Sequence, residues 1–193
     1  MDGLTAHKLL TVIRFGPTAS RAKLSQLAKG IVGKDRLKTN KASYIRNLVD
    51  SWKESESTII WCRYNREQDD LEETFPEAHS VRGETKEADR LNRIADFQEG
   101  RCRILISKPD VLGFGLNFQC ATRHVFNGLW DSLEEYHQAV KRSNRIGSTR
   151  PLNVHIPVTE IERAMVDTVL LKAKRMQQDI EEQEAIFKES AIV

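Results

Sequence analysis

A three-layer α/β fold, with a mostly parallel sheet between two layers of helices, is what this sequence predicts. Three observations carry that expectation. From Ser57 onward, short apolar runs of strand length alternate with stretches of helical periodicity, the signature of strands joined by crossover helices. The run Thr58 to Cys62 is continuously apolar, as in a strand covered on both faces. A length of 193 residues, with 39% hydrophobic and 30% charged, suits one ordinary globular domain.

The first fifty residues read as helical. Leu4 to Arg14 carries Leu9, Leu10, Val12 and Ile13 and stops at Gly16-Pro17. Ser20 to Ile31 spaces Leu24, Leu27, Ala28 and Ile31 as one helical face, and Ala42 to Trp52 repeats Tyr44, Ile45, Leu48 and Val49. The alternating part follows. After the Thr58–Cys62 strand comes a helix over Arg66 to Phe75, then a short strand from His79 to Arg82. Thr85 is a natural cap for a helix from Lys86 to Gln98, with Ala88, Leu91, Ile94, Ala95 and Phe97 inward. Strands are expected at Arg103–Ser107 and Arg123–Phe126. Ser132 and Glu135 have capping-box spacing for a helix to about Arg142. Asn153 to Val158 is the last strand. Glu160 to Ser190 reads as one long helix with Met165, Val169, Ala173, Met176 and Ile180 inward. The organisation is thus a basic helical segment over residues 1–50, a core over 51–159 and a terminal helix over 160–193.

The small net charge of +2 conceals segregation. Residues 1–50 hold ten Lys/Arg against three Asp/Glu, residues 67–99 hold four against eleven, and residues 138–150 hold four basic residues and no acid. Clustered positive charge fits a solvated helical face, the commoner case on charge alone, or a phosphate-binding surface. Cys62, Cys102 and Cys120 are odd in number and far apart, without a C-x-x-C pair, so reduced thiols in a cytosolic protein are expected rather than a disulfide frame or zinc site. No apolar run is long enough to span a membrane, and the first ten residues do not resemble a signal peptide. His124 and His137 lack a metal-ligand pattern, and no nucleophile–base set is present.

Ligands of such sheets gather at the carboxyl ends of the strands. Those ends are Arg63-Tyr64-Asn65, Arg82-Gly83, Ser107-Lys108-Pro109 and Asn127-Gly128. Two segments concentrate chemistry there. In the first, Gln138 to Gly147 (QAVKRSNRIG), Arg142 and Arg145 lie three apart and project the same way from a helical end. Two permanent guanidinium charges aimed together suit a phosphoryl group, whose oxygens match their planar forks, or else form a solvated basic helix terminus that complements the helix dipole. In the second, a strand runs through Ser107, Lys108 and Pro109 into Gly113, Gly115, Asn117 and Gln119. The glycines permit either close backbone approach to a ligand or a plain tight turn.

Taken in order, these segments resemble a known family. The succession of a strand, S-K-P, G-F-G-L-N-F-Q, a strand and D-S-x-E-x-Y-x-Q-A-V-x-R-x-x-R-I-G is similar to motifs V and VI of superfamily 2 helicases, in the Swi/Snf-like form found in phages and prophages. Ile59 to Asn65 resembles their motif IV, and Arg82-Gly83-Glu84-Thr85 with Arg90 and Phe97 resembles the block that follows it. The resemblance covers about Leu37 to Arg163 and implies a RecA-like C-terminal motor lobe.

That resemblance implies roles for individual residues. Arg142 and Arg145 match the motif VI arginines that reach ATP held mainly by a first lobe, with Gln138 opening the motif and Gly147 near its end. Gly113, Gly115 and Asn117 fall in the motif V stretch that links nucleotide to DNA. Arg63, Asn65, Arg82, Thr85, Ser107 and Lys108 would lie along the DNA backbone. The sequence departs from the family at Ser148, where a glutamine is usual, and in a motif V loop one residue longer than that of chromatin remodellers. The implied partners are duplex DNA and an N-terminal motor lobe, in cis or in trans. ATP and Mg²⁺ would bind only together with that lobe. The nearest approach to a phosphate loop, at Gly33-Lys34, has Ala28 for its first glycine and Asp35 for its Ser/Thr, and no strand ends in an Asp-Glu pair. The chain alone is therefore expected to be inactive as an ATPase. The rival reading is a non-catalytic nucleic-acid-binding or regulatory module with the same fold.

Overall fold

Thr58–Trp61 (β3) sits at the centre of the sheet because all four of its side chains are buried, which only a strand covered on both faces achieves. In the computed structural model, residues 17–32, 35–36, 39–112, 116–128, 132–145 and 147–190 are described. Among them, five strands form one sheet in the order β4-β5-β3-β6-β7, with His79–Val81 as β4, Ile104–Ser107 as β5, Arg123–Phe126 as β6 and Asn153–His155 as β7. Every pairing in it is parallel. The two-residue strands Ile31–Val32 (β1) and Asp35–Arg36 (β2) pair antiparallel outside it.

The period-2 alternation of β3 separates two cores. Ile59 and Trp61 face Ile94 and Phe97 of Glu87–Gln98 (α4) and Ala139 of Leu133–Lys141 (α5), while Ile60 faces Ile45 and Val49 of Lys41–Asp50 (α2) and Leu71 of Asn65–Thr74 (α3). Trp61 is a core residue, as its apolar strand implied, whereas Trp130 lies outside the described residues. Pro17–Ala28 (α1) packs against the long Glu160–Ser190 (α6), which also meets α5.

Several expectations need correction. The α1 helix begins at Pro17, whose missing N–H costs nothing at a first helical position, and Gly30, with φ of 73°, turns the chain so that Ile31 enters β1. Tyr44 is 58% exposed and Leu91 57%, and Ala88 is exposed too, so the first half of α4 stands off the core. Thr85 does not cap α4: its Oγ1 accepts the Arg82 amide at 2.8 Å, which closes the turn after β4 instead. Strand β7 ends at His155, two residues before Pro157, which has no N–H for a ladder. Ser132 does cap α5, accepting the Glu135 amide at 3.2 Å. The expected helix over Leu4–Arg14 and the expected inward side chains of α6 lie outside what is described.

Two buried ion pairs tie the outer helices to this frame. Lys29, just past α1, sits 3.5 Å from Glu67 of α3, and Lys41 of α2 sits 2.5 Å from Glu162 of α6. Glu67 also accepts the amides of Arg63 and Tyr64, each at 2.8 Å, and so fixes the chain as it leaves β3. Arg103 donates to the carbonyls of Val49 and Trp52, at 2.9 and 3.3 Å, and satisfies the open end of α2.

Candidate functional site

Because all five strands run parallel, the segments after β3, β4, β5 and β6 emerge on one edge. The structure brings the predicted residues to that edge but divides them sharply. Helix α5 ends at Lys141, and the chain then turns, so Arg142 and Arg145 do not share a helical face. This overturns the expectation that they project together. Arg142 is only 8% exposed. Its Nη2 donates to the Pro109 carbonyl at 2.9 Å, and its own carbonyl accepts the Phe118 amide, also at 2.9 Å. Burial pushes its guanidinium below the ordinary arginine range. Arg145 is exposed and lines an open cleft of about 740 Å³ together with Asn117, Gln119, Lys141 and Asn144.

The residues around the cleft are individually held. The Asn117 Oδ1 accepts the Gln119 amide at 3.0 Å, its Nδ2 donates to Gln119 Oε1 at 3.1 Å, and its carbonyl accepts from Gln98 at 2.6 Å. Gln138 donates to Glu134 at 3.0 Å within α5, and exposed Gly147 turns with φ of 91°. Gly113 and Gly115 lie outside the described residues. Lys141 and Asn144 were not singled out from sequence, and Gln119 was named only as the end of its segment. All three stand within the two family-like segments, which is the signal that marks them.

The residues expected along nucleic acid fall into three groups. Lys108 donates to the Asn65 side chain and bridges the exits of β5 and β3, with Asn65 exposed. Arg63 is exposed and pairs with Glu135 of α5. Arg82 is already engaged: Glu72 and Asp69 accept from its guanidinium at 2.6 to 2.8 Å and hold it above its ordinary range. Thr85 spends its hydroxyl oxygen on the Arg82 amide. Ser107 is fully buried, and its hydroxyl donates to the Val81 carbonyl at 2.7 Å, stitching β5 to β4 rather than facing solvent.

His124 of β6 is entirely buried, and burial pushes its pKa down to about 3, so it is neutral. Its Nε2 lies 2.8 Å from Ser143 Oγ, which joins the sheet to the turn carrying Arg142. Among the described residues no group of three or more His, Cys, Asp or Glu side chains is placed to hold a metal, and no helix is long and apolar enough to cross a membrane.

Comparison with known proteins bears on the fold. Among solved structures, the chain is similar to the C-terminal part of the Fun30 ATPase domain, with a TM-score of 0.58 and 21% identity over 72% of this chain and 50% of that one. It is similar to the C-terminal domain of the DEAD-box protein Dbp5, with a TM-score of 0.58 and 18% identity over 68% and 77%. It is also similar to the Sulfolobus solfataricus SWI2/SNF2 ATPase core in complex with dsDNA, with a TM-score of 0.63 and 18% identity over 80% and 37%. The chain thus spans half of the Fun30 part and 37% of the SWI2/SNF2 core. At these identities the likeness speaks for the fold. No curated protein matches the sequence. The family described as the helicase conserved C-terminal domain matches residues 40–147, from just before α2 to Gly147. With more than half of its length matched and a RecA-like parallel sheet, the chain belongs to the helicase conserved C-terminal domain family.

Proposed function

We propose that this chain is the second motor lobe of an ATP-dependent DNA translocase or helicase, presenting Arg145 to ATP held mainly by a first lobe and holding duplex DNA along the strand exits. The observation that carries the reading is the exposed Arg145 beside Asn117, Gln119, Lys141 and Asn144 in one open cleft. A guanidinium there meets the charge that develops on a transferring phosphoryl group, and the polar side chains around it offer hydrogen bonds to the nucleotide. The exposed Arg63 and Asn65 and the half-buried Lys108 are the surface set proposed to meet phosphates. The already neutralised Arg82 is the weakest of the expected DNA contacts. Mg²⁺ and ATP are assigned to the assembled pair of lobes, where the metal would offset phosphate charge while this lobe contributes the arginine.

Two measurements on the isolated chain test the reading. With ATP, Mg²⁺ and duplex DNA, phosphate release is expected at the background rate, because no lysine-bearing phosphate loop is present. Turnover that vanishes on chelation of Mg²⁺ refutes that assignment. Duplex binding is expected to be weak, indifferent to sequence and steeply dependent on salt, since phosphate contacts release counterions and carry no sequence information. A tight complex unmoved between low and moderate salt contradicts the proposed DNA face.

A further inference from the structure

Arg142 is engaged through both its side chain and its backbone. Its guanidinium reaches the carbonyl of Pro109, the second residue after β5, and its carbonyl takes the amide of Phe118, a fully buried core residue before β6. One residue therefore holds both ends of the segment that leaves β5 and returns to the core. The neighbouring Ser143 anchors the same turn to β6 through neutral His124 at 2.8 Å. Arg145, two residues on, leaves this pinned turn into the cleft.

We infer that Arg142 is a positioning residue: a clamp that fixes the exit of β5 against Phe118 and sets the base from which Arg145 is presented. The Pro109 carbonyl lies beyond the end of β5, and the Arg142 guanidinium supplies it with a donor, as a buried acceptor without a partner is costly. The planar guanidinium spans the distance from the turn to that carbonyl. The clamp stands on the hydrogen bonds alone. Its consequence for turnover, through Arg145, rests on the proposed nucleotide reading.

Hydrogen exchange on the isolated, nucleotide-free chain tests the clamp without invoking ATP. In Arg142→Met, which keeps bulk and removes the donor, the Phe118 amide is expected to exchange at least about ten-fold faster, while the amides of β3 and β5 stay protected. Arg142→Lys, which retains a donor for Pro109, is expected to recover most of that protection, and Arg145→Met to leave it unchanged. A merely space-filling Arg142 predicts the reverse order, with Met protected and Lys not, and that outcome overturns the inference. Should Arg142→Met fail to fold, modification of the wild-type chain by p-hydroxyphenylglyoxal decides the question. Arg145 is expected to react at least about ten-fold faster than Arg142, and equal rates sink the clamp. Loss of the ATP reading would leave both measurements standing, so the two failures are distinguishable.

Discussion

In a motor assembled with its first lobe, Arg145→Ala is expected to lower kcat by about 10³-fold, or about 4 kcal/mol of transition-state stabilisation, with little change in the Kd for DNA. The basis is position. Arg145 is exposed in the cleft, so its removal costs the fold little, and any loss of rate reports on chemistry. Arg145→Lys should recover only a fraction, because an ammonium is a point charge and cannot reproduce the planar fork. Arg142 should behave differently: Arg142→Lys retains a donor for the Pro109 carbonyl and should keep more turnover than Arg145→Lys. A solvated basic surface would instead give near-normal kcat in Arg145→Ala with a modest loss of DNA affinity. Measuring kcat and Kd on the same proteins separates the two, and wild-type turnover in Arg145→Ala removes the finger.

Much of the fold was legible because it rests on local pattern. The apolar runs that become β3, β5 and β6 and the helical stretches between them dictate a parallel sheet. The family-like order of short motifs pointed to the strand exits, the edge on which the proposed site stands. What the sequence could not show was the direction of individual side chains. The three-residue spacing of Arg142 and Arg145 implied a shared face only if the helix continued, and it stops at Lys141. Ser107 lies at a strand end, where ligands gather, yet its side chain falls on the sheet's inside, bonded to Val81. Arg82 looked like a free cation because Asp69 and Glu72 are ten or more residues away in sequence and meet it only when α3 packs beside β4. Each miss comes from tertiary packing, to which spacing along the chain is blind.

The same blindness hid the Lys41–Glu162 pair, 121 residues apart, and its removal should have the largest effect on stability. Both side chains are almost wholly buried, and the Glu162 carboxylate also accepts the amide and hydroxyl of Thr159 at 3.1 and 3.2 Å. Burial lowers the Lys41 pKa while the Glu162 charge opposes that shift, so the ammonium depends on its partner to remain charged in this interior. Gly128, at the end of β6 with φ of 81°, lies against the pair so closely that a Cβ there would meet Glu162 Oε1 at 2.2 Å. The pair is therefore buried between α2, α6 and the β6 exit. Lys41→Met should leave the Glu162 charge buried and unpaired, and cost about 3–5 kcal/mol in urea unfolding. Glu162→Gln alone should also destabilise, by stranding the lysine. The double variant Lys41→Met/Glu162→Gln should be more stable than Lys41→Met, because it leaves no uncompensated charge behind. Strictly additive losses in this cycle would show that the two residues do not act on each other, and the fastening of α6 to the lobe would then have to come from apolar packing alone.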